Sequence, residues 1–309
     1  MEKPELLIDT DPGVDDALAI LMAHRHAHVR ALSIAAGNVG LAHTVGNALK
    51  LVETIGADTP VFAGCDAPLV LPAADAAFVH GADGFGDIGY APSTRRAEAE
   101  HAALAILRLS HAHAGKLVLV AMAPLTNVAL ALKLDPTLPQ RVAQLVIMGG
   151  AVTGRGNTHL VPAEFNIGFD PEAAHVVFST WPHFTLVDWE ATMRHGIEFA
   201  AIEHWLRADD ARARFFDAIS RKTRAWTRER GRPQLLVADA LAMAVALQPD
   251  IVTRAEDRHV AIELTGTHTR GATVVDWDRR LGHSANARIV LEVDHARFEA
   301  LVASSLGAS

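Results

Sequence analysis

Apolar positions along the chain alternate between short β-branched runs and stretches with helical spacing. Leu6–Ile8 precedes the helical pattern DDALAILMAHRH (15–26). The run VRALSIAAG (29–37), the helical AHTVGNALKLVETIGA (42–57) and the short PVFAG (60–64) follow. Strand runs this apolar are buried on both faces, so the βαβαβ rhythm predicts a mostly parallel sheet with helices on either side. The rhythm resumes with strand KLVLVAMA (116–123), helix PLTNVALAL (124–132), strand QLVIMGG (144–150), helix PEAAHVVFS (171–179) and strand FTLVD (184–188), giving at least six strands by Asp188. Residues 196–247 read as helices, among them ARARFFDAISRKTRAWTRERG and the apolar DALAMAVAL. Three strand patterns (RHVAIEL, GATVVDW and NARIVLEVD) and a closing helix ARFEALVASSL complete the chain. The reading is an α/β fold: one domain over residues 1–309 with a central, mostly parallel, Rossmann-like sheet flanked by helices and a helical region at 196–247.

Residues 64–95 interrupt this pattern. They are rich in Gly, Ala, Asp and Pro and include VHGADGFGDIGYAP, which has neither period. Loops of this length in compact domains are commonly functional lids or disordered segments; the expectation is a lid that covers a site and carries His80 to it.

Composition narrows the class of partner. With 309 residues, 50% of them hydrophobic, the chain can bury a large core. A net charge of −8, with basic residues scattered along the chain, argues against a nucleic-acid surface and for a small molecule. No run is long enough to span a membrane, no basic-plus-apolar leader precedes LLID, and the single Cys65 fits a reducing compartment. A cytoplasmic location is the expectation.

The chemistry concentrates in DTDPGVDD, where Asp9, Asp11, Asp15 and Asp16 sit between the first strand and the first helix. Capping and the helix dipole explain one or two acids at a helix start, not four. A cluster of carboxylates after a strand of an open α/β sheet suits a hard divalent cation such as Ca²⁺ or Mg²⁺. The histidine clusters HRHAH (24–28) and HAH (111–113) have i, i+2 spacing, which does not share a helix face, so a surface role is expected for them. Three other strand ends carry polar sets: Asn38 in AAGN, Thr126 and Asn127 in PLTN, and Asn157, Glu164 and Asn166 in GRGNTHLVPAEFN. Each alone would pass for a cap or turn residue. Their recurrence at one edge of the sheet points to a ligand site.

DTDPGVDDA, AAGN, PLTNVA, LVIMGG, AEFN, DPEAA and GATVVDW, in this order over nearly the whole chain, resemble the nucleoside hydrolases, the inosine-uridine-preferring N-ribohydrolase family. The resemblance implies Ca²⁺-dependent hydrolysis of the N-glycosidic bond of ribonucleosides, on a single-domain nucleoside hydrolase fold that forms dimers or tetramers. It implies Ca²⁺ held by Asp11, Asp16, the Thr126 carbonyl and Asp239. Asp11 would be the base toward water, and Asp15, Asn38, Asn157, Glu164 and Asn166 would hold the ribose, with Asp9 in support. His80 would reach the leaving base or the ribose.

Two departures from the family pattern stand out. Ala238 occupies the place where many members carry a histidine that protonates the departing base, which directs expectation to purine nucleosides stacked on aromatic rings, with Trp189, Trp226 and Trp277 as candidates. The spacing from Asn157 to Glu164 is one residue longer than usual. Two other readings compete. A haloacid-dehalogenase-type phosphatase would share the DxD but needs a later lysine before an acidic pair, which none of the five lysines provides. A nucleoside-binding protein without turnover would need no residues that position a water.

Overall fold

The alternation of side chains along the strands assigns each apolar residue to one of two layers. The computed structural model describes residues 3–308. β1 (Glu5–Thr10), β2 (His28–Ile34), β3 (Val61–Ala63), β4 (Leu117–Ala121), β5 (Gln144–Met148) and β6 (Phe184–Val187) run parallel. β7 (Ile197–Glu198) and β8 (Gln234–Leu235) form a separate small antiparallel pair. β9 (Val252–Arg258) is the antiparallel edge of the main sheet, β10 (Val260–Ile262) and β11 (Thr273–Val275) form a hairpin outside it, and β12 (Ala287–Val293) lies between β6 and β9. The order of the eight-stranded sheet is β3-β2-β1-β4-β5-β6-β12-β9.

Twelve helices of very different length occur among the described residues. They are α1 (Val14–His26), α2 (Leu41–Ile55), α3 (Ala77–His80), α4 (Ala102–Ala112), α5 (Thr126–Leu134), α6 (Phe165–Phe169), α7 (Pro171–Thr180), α8 (Trp189–Arg194), α9 (Phe199–Trp205), α10 (Ala211–Glu229), α11 (Ala238–Leu247) and α12 (His295–Ser305). Leu6, Ile8, Leu32, Val120 and Val146 point to the layer of α1, α2, α11 and α12. Leu7, Ala31, Leu119, Leu145 and Ile147 point to the layer of α4, α5 and α7. Two covered faces explain why the middles of the central strands β1, β4 and β5 are apolar. α11 is apolar on every side because it is wedged between α1 and the sheet.

The expected fold class is observed: a single α/β domain with a mostly parallel sheet between helices. At the carboxyl edge the chain differs from the reading of its pattern. RHVAIEL does not form one strand, because β9 ends at Arg258 and the chain leaves the sheet to begin β10 at Val260. β9 itself, VTRAEDR, carries no apolar alternation, since an edge strand needs little burial and its charges discourage pairing with another chain. His24 is also not a surface residue. Its two ring nitrogens contact the Ile20 carbonyl (2.8 Å) and the Thr59 hydroxyl (2.9 Å), so it joins α1 to the chain ahead of β3.

Strand order fixes where a ligand can sit. From β1 the chain moves outward through β2 and β3, then returns to place β4 on the other side of β1, so the loops after β1 and β4 diverge. A crevice opens at such a switch point, at the carboxyl ends of the strands. Asp9, Asp11 and Thr126 lie at this edge.

Candidate active site

The turn Asp11–Gly13 joins β1 to α1 and is built around Asp16. One Asp16 oxygen accepts from the Thr10 hydroxyl and the Asp11 N–H (3.3 Å). The other accepts from the Gly13 N–H (2.9 Å) and the Asn38 side-chain amide (2.9 Å). Asp16 therefore closes its own helix N-terminus as well as facing the crevice. Asp11 accepts the Asn38 backbone N–H on Oδ2 at 2.6 Å, while its buried Oδ1 has no partner among the described residues. Gly37 permits this approach, because a Cβ there would stand 2.1 Å from Asp11 Oδ2. Asp9 points the other way, accepting from the Ser33 hydroxyl and the Asn127 amide (2.9 Å), and Asn127 in turn accepts the Cys65 N–H (2.8 Å).

Asp239, in the first turn of α11, comes up beside this turn. Asp15, Asp16 and Asp239 each offer an oxygen within 4.8 Å of the others. Burial, then the charge of Asp16, pushes the Asp11 carboxyl well above the usual range; burial, then the charges of Asp15, Asp16 and Asp11, does the same to Asp239. Loss of solvent moves Asp15 up to about 6. A group of oxygens that resists ionisation, with a bare Asp11 oxygen beside it, is suited to a hard divalent cation. Thr126 starts α5 with its hydroxyl turned to Asp170 Oδ2 (2.7 Å), which leaves its backbone carbonyl as the atom it could offer an ion.

Above the carboxylates lies a cavity of about 200 Å³. Asp15, Asn38, His80, Asn157, Glu164, Asn166 and Asp239 all line it, whereas Asp11, Asp16 and Thr126 form the buried layer beneath. Glu164 is held by three backbone N–H groups, those of Gly150 (2.9 Å), Asn166 (3.0 Å) and Ile167 (3.2 Å), and burial raises it to about 7. Asn166 donates to the Met122 carbonyl at the end of β4 (2.7 Å). The one-residue-longer loop still brings Asn157 to the wall. The Glu164 and Asn166 side chains are thus fixed by the protein before any ligand binds.

The long loop folds over this crevice as a largely irregular cover with α3 inside it. It is fastened at several points: Ala76 N–H to the Asn38 carbonyl, Asn47 amide to the Asp83 carbonyl, and Thr223 hydroxyl to the Val79 carbonyl. His80 accepts the Val14 N–H on Nδ1 at 3.0 Å, and burial lowers its pKa to about 4. Its ring is therefore neutral, with the proton on Nε2.

The far wall is aromatic. Trp189 and Trp226 line it together with Phe78 and Phe165, and Phe78 meets Trp226 at 6.2 Å in a tilted pair. Trp277 does not line the cavity; it packs at the opposite layer with Arg258 over its ring. Phe78, Phe165 and Arg232 escaped sequence reasoning. Phe78 had a signal, being two residues from His80, while Arg232 sits in a polar run that resembles any helix exit.

The chain is similar over nearly its whole length to known proteins. The family model described as "Inosine-uridine preferring nucleoside hydrolase" matches residues 6–300. The chain is 34% identical over 308 residues to the inosine-uridine preferring nucleoside hydrolase of Crithidia fasciculata, covering 98% of this chain and 97% of that protein. It is 37% identical over 298 residues to the non-specific ribonucleoside hydrolase RihC of Klebsiella pneumoniae subsp. pneumoniae, covering 95% of each. A solved structure of an inosine-guanosine nucleoside hydrolase superposes with a TM-score of 0.92 at 33% identity over 99% of both chains.

Proposed function

Since the chain belongs to the inosine-uridine preferring nucleoside hydrolase family and is a hydrolase acting on N-glycosyl compounds, we propose that it is a Ca²⁺-dependent hydrolase that prefers purine ribonucleosides. The observation that carries this reading is the juxtaposition of buried carboxylates below the cavity with aromatic rings across from them.

In this reading Asp11, Asp16, Asp239 and the Thr126 carbonyl would hold the ion. When bound, Ca²⁺ supplies a more acidic water and a fixed anchor for the ribose diol. Asp11 takes the proton of the attacking water on Oδ1, the oxygen free of hydrogen bonds, while Asn38 N–H holds Oδ2 in place. Asp15, Asn38, Asn157, Glu164 and Asn166 orient the ribose. Bond cleavage develops positive charge on the sugar, and the carboxylates below it stabilise that charge. His80, neutral with its proton on Nε2, donates a hydrogen bond to sugar or base instead of transferring a proton.

Ala238 removes the acid route to the leaving base, and Phe78, Trp189 and Trp226 supply rings against which a purine stacks. The relatives include a protein named for inosine and guanosine and another named non-specific, so the base preference rests on this wall. The test is ribose release from inosine, adenosine and uridine with and without a chelator. Inosine should exceed uridine, chelation should stop both, and Asp11→Ala should be inactive. Faster uridine turnover refutes the preference, and no turnover of any nucleoside favours a binding protein. No helix among the described residues is long and apolar enough to cross a membrane. The proposal extends to a cytoplasmic homodimer or homotetramer, which light scattering on the purified protein can check.

A further inference from the structure

The cavity contains a positive charge to which no described residue offers a hydrogen-bond acceptor. Arg232 lines the wall that also holds Trp189, Val237 and Ala238. Its guanidinium lies 5.8 Å from the centre of the Trp189 ring. Among the described residues that guanidinium makes no hydrogen bond and no ion pair; only its backbone N–H is engaged, by the Thr227 carbonyl at 3.3 Å.

Its neighbours in sequence behave otherwise. Arg224 pairs with Asp217, Arg228 pairs with Glu203, and Arg230 lies over the Trp226 ring at 3.9 Å. Gly231 explains the difference: its φ of +67° ends α10 in a left-handed turn and sends the next residue back over the cavity. A half-buried arginine whose guanidinium finds no acceptor among the described residues, held over an indole in a ligand cavity, is arranged for an acceptor that arrives with the ligand.

We propose that Arg232 stabilises the departing base as an anion, compensating for the acid missing at position 238. The inference rests on the nucleoside hydrolase reading above. As the bond from C1′ to the base nitrogen breaks, its electron pair goes to the base, where it spreads over the ring nitrogens and any keto oxygen. The guanidinium donates an N–H bond to that charge without releasing its own proton. Water adds to C1′ as its proton passes to Asp11, and the base anion takes a proton from solvent. The sum is nucleoside plus water to ribose plus neutral base.

The experiment compares wild type with Arg232→Gln on two substrates, after thermal melts establish that both are folded. Inosine leaves as a poor anion, whereas p-nitrophenyl β-D-ribofuranoside leaves as a stable phenolate that needs no assistance. The variant should lose about 100-fold in kcat on inosine, the scale of one donor aimed at developing charge, and stay within about threefold on the phenyl riboside. Equal losses on both substrates, or no loss on inosine, overturn the proposal. A second measurement separates it from the function reading. Anionic xanthine is titrated against both proteins, with quenching of tryptophan fluorescence as the signal. If wild type cleaves no nucleoside, the hydrolase reading fails by itself. At least tenfold weaker xanthine binding in the variant still supports Arg232 as the anion-binding group, and equal affinity overturns it.

Discussion

Replacement of Asp239 by Asn gives the sharpest test of the cation site, because it changes stability in opposite directions with and without the ion. Asp239 shares a space in which the oxygens of Asp15 and Asp16 lie within 4.8 Å. At that separation two unit charges repel by about 3.5 kcal/mol at an effective dielectric of about 20. Protonation relieves part of this, which is why burial and its neighbours hold the Asp239 carboxyl so far above the usual range. The substitution also removes an acid from the first turn of α11, at a cost of about 0.3–1 kcal/mol. The relieved repulsion is the larger quantity, so Asp239→Asn in chelator should melt at or above the wild-type temperature.

Added Ca²⁺ reverses the order. An ion at about 100 times its Kd stabilises the folded state by about 2.7 kcal/mol, or about 4 °C in Tm for a chain of this length. The wild type should gain that increment and Asp239→Asn should gain about 1 °C or less, with loss of ribose release. Differential scanning fluorimetry at pH 8, with chelator and then with Ca²⁺ in excess, reads both arms. A variant that melts well below wild type in chelator and gains as much from Ca²⁺ would refute the assignment of the cluster as the cation site.

Further predictions follow from individual contacts. Gly37→Ala places a Cβ 2.1 Å from Asp11 Oδ2 and should displace that carboxylate, costing about 1–3 kcal/mol in urea unfolding and more than about 100-fold in kcat. Asn127→Ala leaves the Cys65 N–H without its acceptor and Asp9 Oδ1 with the Ser33 hydroxyl alone, and should cost about 1–3 kcal/mol by the same assay. His195 has its pKa lowered to about 4 by burial and then by the neighbouring His295, so the unfolded chain binds its proton first as pH falls. Stability should therefore be unaffected by this group above pH about 6.5 and decline toward pH about 4, by about 1–2 kcal/mol after allowance for solvent screening. His195→Gln, which keeps an acceptor for the Val293 N–H, should flatten that slope, and an unchanged slope would contradict the assignment.

The residues that sequence made visible share a physical property: their role is set by a local rule. Strands β1, β4 and β5 were legible because burial on both faces leaves their central runs apolar, and α11 because it is enclosed on all sides. Asp11, Asp15 and Asp16 announced themselves by charge density, and Asn38, Glu164 and Asn166 by falling at strand ends that topology gathers along one edge. β9 was not legible, since an edge strand has no second layer to impose a pattern on it. The aromatic wall was legible only in part. Trp189 and Trp277 look alike in sequence, yet one faces the cavity and the other packs against the opposite layer, a distinction made by the path of the chain after each strand.

Arg232 marks the boundary of what a linear reading can reach. An arginine after a helix is ordinarily a solvated charge, and three others nearby in α10 and its exit are paired or stacked in the ordinary way. Only the turn at Gly231 and the position of Trp189 make this one different, and neither is a property of the residue itself. In the proposed reading the carboxylates act on the sugar side of the bond and Arg232 on the base side, so opposite charges stand where opposite charges develop as the bond separates. A site polarised in this way can dispense with a proton donor at position 238, provided the leaving group carries its negative charge within reach of the guanidinium.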